Sequence, residues 1–211
     1  GNGRRTARFI STLPSPPKIL APEVVHIAYN DLANYAATLN PNSFYGINYH
    51  LYGGNNSDLS SSTNIFPGKP HFMTEYGVDD LIGAATLIHN CLTLGQDSGF
   101  NFWSLAWPGT GGGLVQLEQN TGNPSTWTNA PPGIPEPHGW WRAPSYWAMK
   151  HFSYFINPGF KRVSVADTDN NVLVSAYVSP DSLRLVVVLI NTGTSSPSTR
   201  TVNYGSCPAG N

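Results

Sequence analysis

Acidic and aromatic side chains recur where short apolar runs of this sequence end. Glu23 closes the run at 18–21, His50 and Tyr52 the run at 44–50, Glu75 and Tyr76 the run at 71–75, and Trp103 and Trp107 the run at 99–105. Carboxylates act on an anomeric carbon, while Tyr and Trp faces stack on the apolar faces of sugar rings. The chemistry these residue types suit is hydrolysis of a glycosidic bond. Competing chemistries lack their residues: there is no Gly-x-Ser-x-Gly elbow and no His/Cys/carboxylate cluster at zinc spacing. Gly111-Gly112-Gly113 lacks the Lys-Ser/Thr of a phosphate loop. Neither a cofactor nor a metal is expected.

The elements that must position these residues read as an α/β array. Short apolar runs alternate with stretches of helical spacing, the pattern of parallel strands joined by helical crossovers. Strands are expected at 18–21, 44–50, 71–75 and 99–105. Val25, Tyr29, Leu32, Ala36 and Leu39 space a helix over 24–39, and Leu81, Ala85, Ile88 and Leu92 space another from Asp80 to near Gly95. A last helix covers 144–156. Its aromatic run Tyr146, Trp147, Phe152, Tyr154 and Phe155 is expected to pack between that helix and the β-rich part beyond Phe160. There the period changes to two, through Val163, Val165, Val172, Val174, Ala176, Val178, Leu183, Leu185, Val187 and Leu189. Turns at 169–171 and 179–181 divide this part into an antiparallel meander. In barrels of parallel strands, catalytic groups stand at the carboxyl ends of the strands, where the four endings lie. The stretch 109–139 reads as one long Gly/Pro/Asn loop, and Trp107 sits at its loosely packed start.

Composition narrows the partners. The chain of 211 residues has a formal net charge of −1 and only 11% charged residues, with 21 Gly, 18 Pro and 12% aromatics. It has no basic block to meet a phosphate backbone, so nucleic acid is not an expected partner. The longest apolar run, 185–190, is far below the roughly 20 residues that cross a bilayer, so no membrane partner is expected either. The balance suits a secreted, extracellular protein that handles polysaccharide. Cys91 and Cys207 form neither a disulfide framework nor a metal-ligand spacing; a free buried thiol at Cys91 and a Cys91–Cys207 disulfide are the two readings. A glycosylation triplet, Asn55-Asn56-Ser57, falls in what reads as a polar loop.

Several segments, in order, resemble glycoside hydrolase family 30, which includes xylanases, β-1,6-galactanases, β-1,6-glucanases and glucosylceramidases. Lys18-Ile19-Leu20-Ala21-Pro22-Glu23 is similar to that family's fifth barrel strand, and Gly46 through His50-Leu51-Tyr52-Gly53 to its sixth. Phe72-Met73-Thr74-Glu75 resembles the seventh, Phe102-Trp103-Ser104-Leu105 the eighth, and Tyr146 through Gly159 the final helix leading into a β side domain. The resemblance implies the carboxyl-terminal half of a (β/α)8 TIM barrel over 1–159, followed by part of an antiparallel β side domain over 160–211. It implies a retaining mechanism with Glu75 as the nucleophile and His50, Tyr52, Tyr76, Trp103, Trp107 and Glu23 lining the substrate.

Retention requires a second carboxyl group about 5–5.5 Å from the nucleophile. In the family that glutamate lies in an Asn-Glu-Pro-like motif after the fourth strand, and no such motif is present here. The chain is therefore expected to be the carboxyl-terminal part of a longer enzyme and inactive alone. Glu23, the other strand-end glutamate, has a competing role as the cap of a following helix. Glucuronoxylan-specific relatives carry an Arg just after the eighth strand, whereas here Ser104-Leu105-Ala106-Trp107-Pro108 comes after Trp103; Arg142 is the nearest later candidate. The expected substrate is a β-linked plant polysaccharide, with an endo-β-1,4-xylanase as the leading reading. A β-1,6-galactanase, a glucosylceramidase and a non-catalytic carbohydrate-binding fragment are the alternatives.

Overall fold

The computed structural model describes residues 12–27, 31–108, 112–117, 139–166, 170–194 and 201–203. Its centre is a parallel sheet of β1 (Ile47–His50), β2 (His71–Tyr76) and β3 (Gly99–Phe102), in that spatial order. All four β1 residues are buried, as expected of a strand covered on both faces. The segment before it lies parallel to β1 without forming a regular strand. Leu20 bridges Gly46 and Val24 bridges Tyr49, while Tyr45 N–H donates to Ile19 O (2.7 Å) and His50 N–H to Val24 O (2.7 Å). Between them Ala21 N–H donates to Gly46 O (3.1 Å) and Glu23 N–H to Asn48 O (3.2 Å), on either side of Pro22, which is joined to Ala21 by a cis peptide. The strand expected at 18–21 is thus a single isolated bridge at Leu20, with a second beyond it at Val24.

Val24 also overturns the helix expected over 24–39. It and His26 bridge to β1 and the residue after it, and Val25 is exposed. The helix here, α1, covers only Asp31–Ala36, with Leu32 buried; Tyr29 lies outside the described residues. A helix missing from the expectation, α2 (Asn56–Ser62), lies in the Ser/Asn stretch. Asn55 caps it by accepting from Ser57 N and Asp58 N, and Asp58 accepts from Asn55 N to complete a capping box. Leu59 and Ser62 are its buried residues, too few to make a hydrophobic stripe legible.

The strongest element is α3 (Leu81–Thr93), opened by Asp80, whose side chain accepts from Gly83 N. It joins two cores. Leu87 and Cys91 pack with Ile47, Tyr49 and Met73 of the parallel sheet, whereas Ala84, Ala85 and Ile88 pack with Ala148, Phe152, Tyr177, Val188 and Ile190. The second core is completed by α4 (Pro144–Ser153) and by β7 (Lys161–Val163), β8 (Val172–Val178) and β9 (Leu185–Asn191), an antiparallel sheet in chain order. The meander is therefore present.

Two expectations fail around it. Of the α4 aromatic run, Phe152 is buried against β8 and β9, but Trp147, Tyr154 and Phe155 are exposed. Helical geometry separates them: Ser145, Ala148 and Phe152 form the buried stripe, and Trp147, Lys150 and Tyr154 form another, with Lys150 Nζ over both rings. Likewise 109–139 is not one loop. β3 ends at Phe102, and β4 (Ala106–Pro108), β5 (Val115–Leu117) and β6 (Trp140–Arg142) form a second three-stranded sheet, β4–β5 parallel and β5–β6 antiparallel. Trp141 Nε1 donates to Gln116 Oε1 (2.8 Å) within it. Strands three residues long carry too little alternation to be read from sequence.

Cys91 is a free, fully buried thiol, and burial raises its pKa. Cys207 and Asp169 lie outside the described residues.

Candidate active site

The carboxyl ends of β1 and β2 meet at irregular register. The β1–β2 pairing shifts between Tyr49 and His50, so that His50 comes opposite Glu75. A bulge re-aims the side chains beyond it, and here it brings an imidazole and a carboxylate together. Tyr52, just beyond β1, donates from Oη to Glu75 Oε1 (3.0 Å). His50 Nδ1 lies 3.7 Å from the same oxygen. On the other side of the ring, His50 Nε2 is 2.7 Å from Glu23 Oε1, and Thr74 Oγ1 donates to that oxygen at 2.7 Å. Glu23, His50, Tyr52, Thr74 and Glu75 thus form one connected cluster.

Glu75 is partly open, its side chain 28% accessible, whereas His50 is at 10%. A carboxylate held by one donor yet open to solvent can reach an incoming electrophile. Tyr52 has its pKa raised, first by burial and then by its hydrogen bond to Glu75, so its hydroxyl keeps the proton it donates. The Tyr76 ring packs edge-on against Tyr52, centroids 5.1 Å apart. Glu23 does not open a helix, since the residues after it pair with β1 and its end.

Trp103 and Trp107 stand beside this cluster through the backbone. Trp103 N–H donates to Tyr76 O (3.1 Å). A Cβ on Gly77 would lie 2.5 Å from Trp103 O, so only glycine permits this approach of the chain after β2 to the end of β3. The Trp103–Ser104 peptide is cis. Both indoles are exposed, with centroids 6.1 Å apart. Trp107 is not in a loose loop: it lies on β4, paired with Gln116. Arg142 does not reach toward Trp103. Its guanidinium lies 5.2–5.7 Å from the ring centroids of Trp140, Tyr146 and Trp147.

Sequence reasoning passed over Thr74, whose hydroxyl ties Glu23 to β2, and Asp97, which accepts from Tyr49 Oη (2.7 Å) beneath the site. Thr74, beside Glu75 on a strand, was the one available signal. Among the described residues, no group of three or more His, Cys, Asp or Glu side chains is arranged to hold a metal ion. No described helix is long and apolar enough to cross a membrane.

No protein-family model matches the sequence, and no curated protein matches it significantly. Solved structures do match. A family 30 endoxylanase from Clostridium papyrosolvens superposes with a TM-score of 0.61 at 22% identity, over 92% of this chain and 46% of the other. A family 30 subfamily 8 xylanase from Clostridium acetobutylicum gives 0.60 at 26% identity, over 91% and 46%. The chain shares its fold with part of these family 30 xylanases. An endo-β-1,6-glucanase aligns as well, with a TM-score of 0.60 at 21% identity, over 79% of this chain and 40% of the other. The chain spans less than half the length of these family 30 structures.

Proposed function

We propose that the protein is the carboxyl-terminal portion of a secreted, retaining glycoside hydrolase that cleaves β-linked plant polysaccharide. Residues 1–159 would form half of a (β/α)8 barrel and 160–211 part of a β side domain. The observation that carries this reading is Glu75, partly open at the end of β2 and held by Tyr52, in a fold similar to family 30 xylanases. In this reading Glu75 attacks the anomeric carbon as the leaving-group oxygen takes a proton, and a covalent glycosyl-enzyme forms. Water then attacks that carbon, passing a proton back to the group that protonated the leaving oxygen, and the sugar leaves as the Glu75 carboxylate is restored. The proton donor is a glutamate from a part of the enzyme outside this chain. Glu23 is not assigned that role, because its Oε1 is engaged with Thr74 and His50 within the cluster.

Tyr76, Trp103 and Trp107 line the sugar in this reading, their rings offering stacking faces. Xylan is the leading substrate, without dependence on glucuronate branches, since Arg142 is engaged with three aromatic rings. A second reading within the same chemistry, a β-1,6-linked polysaccharide, is favoured by the equal TM-score of the β-1,6-glucanase. The test uses the full-length enzyme, a mechanism-based 2-fluoro-xylobioside, and hydrolysis assays on xylan and β-1,6-glucan. The fluorosugar is expected to label Glu75, and Glu75→Gln to reduce turnover by orders of magnitude. A loss of less than about tenfold removes Glu75 from the role.

A further inference from the structure

We propose that Glu23 is a positioning residue that acts on Glu75 through the tautomer of His50; this rests on Glu75 being the nucleophile. Glu23 sits at φ 63°, in the left-handed region that residues with a Cβ rarely occupy. A residue with a Cβ in that conformation points to a constraint acting on its side chain.

That side chain has one connected task. An ionised carboxylate only accepts hydrogen bonds, and Glu23 Oε1 lies 2.7 Å from His50 Nε2 while accepting from Thr74 Oγ1 at 2.7 Å. The proton of the neutral ring is therefore held on Nε2, because a lone pair there would face a carboxylate oxygen at 2.7 Å, against 3.7 Å for Nδ1. Nδ1 then carries the lone pair. It is buried without a hydrogen-bond partner among the described residues, and it points toward Glu75 Oε1 at 3.7 Å, beyond hydrogen-bond length.

The consequence falls on the nucleophile. With the opposite tautomer, an Nδ1–H would face Glu75 Oε1 as a second donor beside the Tyr52 hydroxyl and draw further charge from the oxygen that attacks. With Glu23 in place, the neutral ring donates away from Glu75, and Tyr52 supplies the hydrogen bond to that oxygen. The groups facing the ring in this cluster are Glu23, Glu75 and Tyr52. Fixing a histidine tautomer through the far ring nitrogen is the usual work of an orienting carboxylate.

The test pairs a spectroscopic and a chemical readout. Nitrogen-15 resonances of His50, assigned with His50→Gln, are recorded at a pH above the ring's own titration. Wild type is expected to show the Nε2–H form; Glu23→Gly and Glu23→Asn, both at ease with a positive φ, are expected to show a mixture. An Nδ1–H ring in wild type, a ring doubly protonated at every pH where the protein is folded, or a tautomer unchanged in both variants overturns the proposal. In the full-length enzyme, labelling of Glu75 by the fluorosugar should slow about tenfold or more in both variants, with folding intact by circular dichroism. Equal labelling rates in wild type and variants refute the role of Glu23 alone, whereas no labelling of wild type at Glu75 refutes the underlying reading.

Discussion

At the oxygen of Glu75, the geometry separates two neighbours that sequence order alone presents as equals. Tyr52 reaches it with a hydroxyl at 3.0 Å, and His50 stops at 3.7 Å. Hydrogen bonds to charged groups contribute about 1.5–3 kcal/mol, so Tyr52→Phe is expected to lower kcat/KM by about ten- to a hundredfold. Steady-state kinetics of the full-length variant check this, and an unchanged kcat/KM would show that Tyr52 does not act on Glu75. The candidates Glu23, His50, Tyr52 and Glu75 were legible because each ends an apolar run or stands just after one. Their roles were not. Thr74 and Glu23 lie 51 residues apart, and nothing in either local sequence announces the bond between them.

Between elements, Asp97 in the α3–β3 connection ties β1 to α3. Its N–H donates to Cys91 O (3.0 Å), and its carboxylate accepts from Tyr49 Oη of β1 (2.7 Å). Burial, the largest cause, raises the Asp97 pKa from 3.8 to about 7, against the lowering effect of the Tyr49 hydrogen bond. Folded Asp97 therefore keeps a proton that the unfolded chain gives up near pH 3.8. Its contribution to stability is complete below that pH and is lost as pH rises through about 7. At about 1.36 kcal/mol per pH unit, wild type should lose on the order of 4 kcal/mol from this group between pH 4 and 8. Asp97→Asn keeps an acceptor for Tyr49 and cannot ionise, so its urea midpoint should vary less with pH; a variant as pH-dependent as wild type contradicts this. Legibility at this scale tracked length. The thirteen-residue α3 repeats its apolar stripe often enough to be read, whereas α2 and strands β4 to β6 are too short to do so.

At the scale of the whole molecule, the described residues leave apolar surface open on two faces. One lies over β8 and β9, where Val174, Ala176, Val178, Leu185 and Val187 line an open trough. The other is the Trp147, Tyr154 and Phe155 face of α4 and its end. Patches of this kind mark surfaces that take a partner, and the outer backbone edge of β3 is a further place to pair. Expressed alone, the 211-residue chain is expected to self-associate and to hydrolyse neither xylan nor β-1,6-glucan. Sedimentation at several concentrations checks this, and a monodisperse, catalytically active monomer would refute it. By itself the sequence determined the alternation of strand and helix, the period-two meander and the polar strand endings, because each depends on spacing within one short segment. Only the tertiary structure decided that Val24 serves a bridge instead of a helix and that Trp107 lies on a strand. It also decided that a shifted register sets His50 between Glu23 and Glu75. Those outcomes depend on which backbones lie side by side and in what register, and residue spacing along one segment carries no record of that.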